Sequence, residues 1–243
     1  MAEQKIYQQI LLNKNNKRSQ LAVLVDPDKF NDKLIDVVES CKVDYFFIGG
    51  SKITNGDFEG TLRQLKKRSK IPVVIFPGDF VGQLSAKADA ILILSVLSGR
   101  NPDYLIGKHV ESAKEIKAKK IETIPTGYVL IEGEVVSATQ KVTNTRPIPN
   151  NDVDLIVRTA IAGELLGMKA IYLEAGSGAK MSVSSDIIKK VKKQIHIPLI
   201  VGGGINSVKK AQQVINAGAD IVVVGNALEK NVNLLSEISK VFI

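Results

Sequence analysis

The chain has 243 residues, of which 44% are apolar and 24% charged, and it carries a formal net charge of +8. This length holds one large core without a second domain, and the composition is that of an ordinary globular protein. No apolar run reaches the roughly 18 residues of a membrane span, and Cys41, the single cysteine, excludes an intrachain disulfide.

The opening Met1–Lys5 carries no apolar leader, so a cytoplasmic protein is the expectation. Lys and Arg are scattered in helical patterns, as at Lys66, Lys67 and Arg68 or at Lys189, Lys190, Lys192 and Lys193. Such runs read as solvated helix faces. No aromatic residues interleave with them in the manner of RNA binders, so nucleic acid is not expected as a partner. The surplus charge suits an anionic substrate, including one presented at an anionic membrane surface.

Strands and helices alternate along the chain. Leu21–Val25 reads as a first strand ending in Asp26-Pro27-Asp28, and a helix follows from Asn31 to Ser40. Tyr45–Ile48 is a second strand ending in Gly49-Gly50-Ser51, and a helix over Phe58–Arg68 leads to a third strand, Pro72–Phe76. Pro77 to Asp89 is short and contains glycine, so the third helix is expected to be short or missing.

Ala90–Leu94 is a fourth strand, and Asn101-Pro102 opens a long helix, with proline suited to its first turn. Ile121–Ile131 is a fifth strand, followed by a loop without periodicity over Glu132–Asn151 and a helix capped by Asp152 and running to Leu166. Ala170–Leu173, Pro198–Val201 and Ile221–Val224 are strands six to eight, with helices over Ser185–Gln194, Ser207–Ala217 and Asn231–Lys240.

Continuous apolar strands that alternate with amphipathic helices indicate a parallel sheet covered by helices. Eight of them at this length favour a single α/β domain over residues 1–243, a (β/α)8 TIM barrel. An open doubly wound sheet is the alternative, but its Gly-x-Gly-x-x-Gly fingerprint after the first strand is absent.

In such a barrel all strand C-termini meet at one face, so distant polar residues converge there. Three late strand ends are rich in glycine: Tyr172-Leu173-Glu174-Ala175-Gly176-Ser177-Gly178, Gly202-Gly203-Gly204, and Gly225-Asn226. Glycine admits a close ligand approach, and N–H groups at the following helix start attract an anion. Gly176, Ser177, Gly178, Gly203 and Gly204 are therefore the expected phosphate donors.

Glu174 would repel a phosphate but can bind or deprotonate a nearby hydroxyl, and Tyr172 shares its side-chain direction. Asp26, at the first strand end, suits Mg²⁺, and the Ser51 hydroxyl can join it as a ligand. A turn or helix cap explains either residue when it stands alone, and a cap likewise explains Asp28. Lys29 and Lys52 lie near strand ends without a defined role. His109 and His196 fall away from strand C-termini and are expected at the surface or the barrel bottom. Zinc spacing, a nucleophile elbow and a Walker loop are absent.

The set Val25-Asp26-Pro27-Asp28-Lys29, Ile48–Ser51, Tyr172–Gly178, Val201–Ile205 and Val224–Lys230 resembles the geranylgeranylglyceryl phosphate synthase family, prenyltransferases on a modified barrel. The resemblance implies attack of an sn-glycerol 1-phosphate hydroxyl on a long allylic diphosphate, with release of pyrophosphate. It implies Asp26 and Ser51 as Mg²⁺ ligands, Asp26 and Glu174 as catalytic residues, and Tyr172 to Gly178 with Gly203, Gly204, Gly225 and Asn226 as the glycerol phosphate site. It also implies a homo-oligomer, dimeric or hexameric. Two rivals share the glycine cradle. One is a sugar-phosphate isomerase or lyase with Asp26 and Glu174 as its acid/base pair, and the other is a non-catalytic phosphate-binding scaffold.

Overall fold

The computed structural model describes residues 4–179 and 181–242. Residues 1–3, part of the segment read as lacking a leader, lie outside the described residues. Eight parallel strands close into a barrel in sequential order: β1 Gln20–Val25, β2 Tyr45–Ile48, β3 Val73–Ile75, β4 Ala90–Val96, β5 Glu122–Leu130, β6 Ala170–Glu174, β7 Leu199–Gly202 and β8 Ile221–Val224. Closure is made by β1 on β8, with Leu21 opposite Val222.

Side chains alternate between two apolar layers, as the pleat requires. On β6, Ala170 and Tyr172 point inward, while Ile171 and Leu173 join the layer between barrel and helices. Tyr45 and Phe47 point inward on β2, with Phe46 and Ile48 outward. Helix α1 (Lys5–Asn15) precedes the barrel and was not expected from the sequence. Its Ile6 and Ile10 pack into the inner layer from below. The buried Glu122 carboxylate accepts the N–H groups of Ile6 and Tyr7 at 2.9 and 2.7 Å, which caps α1 from the start of β5. The bottom of the barrel is thereby closed.

Outer helices follow as α2 Lys33–Val38, α3 Phe58–Arg68, α4 Lys108–Lys119, α5 Ala138–Thr143, α6 Val153–Leu165, α7 Ser185–Lys192 and α8 Val208–Asn216. Between β3 and β4 there are only turns, so the expected missing third helix is observed. The helix expected from Asn101 opens with a π-helical turn at Asp103–Gly107 before α4.

Two expectations need correction. The segment Glu132–Asn151 is not all loop: Ser137 and Gln140 form a reciprocal capping box that starts α5. The final helix, expected over Asn231–Lys240, is shorter: it is α10 Leu234–Ile238 followed by a 3-10 turn at Ser239–Val241, and a separate short helix, α9 Asn226–Lys230, precedes it directly after β8. No helix among the described residues is long and apolar enough to cross a membrane.

Candidate active site

A cavity of about 430 Å³ opens at the C-terminal mouth of the barrel. Asp26, Ser51, Tyr172, Glu174, Ser177, Gly178, Gly203, Gly204, Gly225 and Asn226, all singled out from the sequence, line it together. Three of the expected residues do not. Leu173 and Ala175 point into the barrel–helix layer because they alternate with Tyr172 and Glu174. Gly176 turns its N–H to Glu174 Oε1 at 2.7 Å, so this donor is engaged within the loop.

Glu174 is buried at the end of β6. Burial pushes its carboxyl up to about 7, although the Gly176 N–H and the Tyr172 hydroxyl both donate to it. Burial and the Glu174 charge in turn raise the Tyr172 hydroxyl well above the usual phenol range. The space for this pair is made by glycine. A Cβ at Gly202 would collide with the Tyr172 hydroxyl, and one at Gly203 with Glu174 Oε1. Gly203 also has φ +83°, a conformation that L side chains rarely adopt.

Asn226 joins the β6 and β8 loops. Its Oδ1 accepts from Ser177 Oγ at 3.0 Å and from the Gly178 N–H at 3.2 Å. The Gly178 N–H expected to face a phosphate is therefore shared with a side chain.

Across the mouth, Asp26 caps the turn Pro27–Lys29 by accepting the Asp28 N–H at 3.0 Å. Its other oxygen lies 3.3 Å from Lys29 Nζ. A Cβ on Gly50 would stand 3.2 Å from Asp26 Oδ1, so the loop carrying Ser51 passes directly beside this carboxylate.

That loop is held by two residues. Gln83, buried at 2% exposure, donates to the Gly50 carbonyl at 2.8 Å and accepts the Gly50 and Gly78 N–H groups. Asp28 accepts N–H groups from Thr54, Asn55 and Gly56, which lowers its carboxyl to about 2. Asp28 is therefore a loop anchor.

Sequence reasoning missed the aromatic floor. Phe76 and Tyr128 pack around Tyr172 with ring centroids 5.4 and 5.3 Å from it. Phe76, Tyr128 and Ser51 also line an apolar groove with Phe80, Leu94, Val96 and Tyr104. The groove shares Ser51, Phe76, Tyr128, Thr139 and Val142 with the cavity, and Pro77, Gly78 and Phe80 of the segment that lacks the third helix also line it. The Tyr104 hydroxyl donates to the Val142 carbonyl at 3.0 Å, which ties the π-helical turn to α5 along the groove.

His109 corrects another expectation: it lies near the C-terminal end of β4, with Nε2 3.2 Å from Ser95 Oγ and its ring edge-on to Phe80. Burial lowers its pKa. His196 is exposed just before β7, at the barrel bottom as expected.

Glycine loops on one side, an acid and lysines on the other, and an apolar groove between them define a (β/α)8 barrel suited to an anionic substrate and an apolar one. The chain belongs to the PcrB family, whose model matches residues 14–242. It is 45% identical to the geranylgeranylglyceryl phosphate synthase of Chitinophaga pinensis over 97% of this chain and 94% of that protein. It is 46% identical to the synthase of Flavobacterium johnsoniae over 93% of this chain and 94% of that one. The crystal structure of the Thermoplasma acidophilum (S)-3-O-geranylgeranylglyceryl phosphate synthase, in complex with its substrate sn-glycerol-1-phosphate, superposes with a TM-score of 0.90 at 29% identity, covering 100% of this chain and 98% of that one. The family resemblance carried by the motifs is therefore correct.

Proposed function

We propose that this protein is a prenyltransferase that joins sn-glycerol 1-phosphate to a long allylic diphosphate through an ether bond, with release of pyrophosphate. The relatives' names point to the geranylgeranyl donor. The observation that carries the reading is the juxtaposition of a buried, hydrogen-bonded carboxylate with both a glycine cradle and an apolar groove. A sugar-phosphate isomerase would use the cradle but leaves the groove without a role.

The glycerol phosphate lies against Gly203, Gly204, Gly225 and Ser177, with its hydroxyls toward Glu174. The Glu174 carboxyl, held at about 7, takes the hydroxyl proton as the oxygen attacks the first prenyl carbon. The prenyl tail runs along Phe76, Phe80 and Leu94. Fixing both reactants side by side lowers the barrier by up to about 7–11 kcal/mol in well-oriented systems.

Asp26 and Ser51 are the proposed Mg²⁺ ligands. Among the described residues no group of three or more His, Cys, Asp or Glu could hold a metal ion. One carboxylate and one hydroxyl fit a hard ion that keeps waters and takes the remaining oxygens from a diphosphate. Mg²⁺ bound there supplies charge stabilisation to the leaving diphosphate. Lys29, Lys52, Lys141 and Lys230 also line the cavity and offer further positive charge.

The test is incubation of radiolabelled sn-glycerol 1-phosphate with allylic diphosphates from C15 to C35, followed by solvent extraction. A labelled ether lipid with equimolar pyrophosphate is expected, and its absence for every donor refutes the reaction. Gly203→Ala should weaken glycerol phosphate binding about tenfold by calorimetry, because the new Cβ meets Glu174 and a left-handed backbone costs about 1–2 kcal/mol. Unchanged affinity would remove this loop from the cradle.

A further inference from the structure

The two halves of the site are joined by a chain of side chains whose middle member, Glu229, has no part in the proposed reaction. Asn226, already bound to Ser177 and Gly178 through Oδ1, donates from Nδ2 to both Glu229 oxygens, at 3.2 and 3.3 Å. Glu229 Oε2 lies 3.3 Å from Lys29 Nζ, and the same ammonium is 3.3 Å from Asp26 Oδ2. Glu229 thus holds a residue of the glycine cradle on one side and a cation of the opposite rim on the other. All four side chains line the cavity.

The chemistry gives this bridge a purpose. The reaction brings a phosphate and a diphosphate into one cavity, and two anions at short range repel unless positive charge stands near both. Lys29 is the cation that the chain places between the Asp26 rim and the Asn226 loop. Its side chain is 49% exposed, so its ion pairs contribute little to stability. Its ammonium is accessible to an incoming oxygen.

Resting on the proposed reaction, we infer that Glu229 is a positioning residue for both substrates: its carboxylate aims Lys29 at the diphosphate and fixes the Asn226 amide that shapes the glycerol phosphate loop. Lys29 exchanges Asp26 for diphosphate oxygens when the donor binds, and it keeps Glu229.

Calorimetric binding of two probes, sn-glycerol 1-phosphate alone and pyrophosphate with Mg²⁺ alone, tests this without turnover. Glu229→Ala should weaken both probes about tenfold, the scale of one hydrogen bond to a charged group. Glu229→Gln keeps an acceptor for Asn226 but lacks the charge that aims Lys29, so it should weaken pyrophosphate and leave glycerol phosphate unchanged. Lys29→Met should match Glu229→Gln. The thermal midpoint should stay constant across the series, because the pairs involved are partly exposed.

A loss confined to one probe in Glu229→Ala, no loss in either, or no separation of the probes in Glu229→Gln overturns the assignment. If the unaltered protein binds neither probe, the proposed reaction falls, and this assignment with it.

Discussion

Glu174→Gln is expected to lower the rate of ether formation by about 10²–10⁴-fold, the usual contribution of a positioned general base. Glutamine keeps the size of the side chain and an oxygen for the Gly176 N–H, but it cannot accept the substrate proton. The pH dependence distinguishes this loss from simple damage. The Glu174 carboxyl titrates at about 7, so below that pH the base is protonated and kcat/KM should fall about tenfold per unit. In Glu174→Gln that limb should vanish. Glycerol phosphate affinity measured at each pH accounts for the ionisation of the substrate itself.

Stability should move the other way. The folded-state pKa of Glu174 lies above the ordinary value, so its contribution is full below about 4.5 and is lost as pH rises through about 7. The cost at higher pH is that of a buried charge, and glutamine never acquires one. Glu174→Gln should therefore melt at the same temperature as the parent protein or higher at pH 8. A lower melting temperature together with lost activity would count against a catalytic role.

The second large effect is at Asp26. Asp26→Asn keeps an acceptor for the Asp28 N–H, so the turn over Pro27–Lys29 should persist. It removes the negative charge that the proposed Mg²⁺ requires. A divalent ion contributes several kcal/mol of charge stabilisation, so turnover should fall about 10²–10⁴-fold and respond weakly to added Mg²⁺. Glycerol phosphate should still bind, because the Gly203 loop lies across the cavity. Retained Mg²⁺-dependent turnover would exclude Asp26 as the metal's carboxylate.

The barrel was legible because buried parallel strands are short apolar runs, and Tyr45–Ile48 or Ile221–Val224 admit little else. Helix α1 was not, because its sequence is rich in Lys, Gln and Asn and its inward stripe is mainly Ile6 and Ile10. Helix α5 has only six residues, yet Ser137 and Gln140 carried its start signal in plain view.

The site was legible where chemistry sits at strand ends in sequence-local motifs, as at Glu174 and Gly203. It was hidden where barrel closure creates neighbours. Phe76 and Tyr128 read as ordinary core until closure brings them round Tyr172. Gln83 stands in a run of turns with no sign that it grips Gly50. Lys29 meets Glu229 across a separation of 200 positions, which no local pattern encodes.

The gap between β3 and β4 has a last consequence. A barrel of this kind ordinarily shields that flank with its own helix, whereas in the proposed reaction the covering hydrocarbon would arrive with the reactant. The donor's tail would then serve as a temporary part of the protein's interior, and each turnover would remove that part with the departing lipid. Product release would in this sense be a small local unpacking, so the apolar grip that aligns the tail for the proposed reaction would also slow its departure.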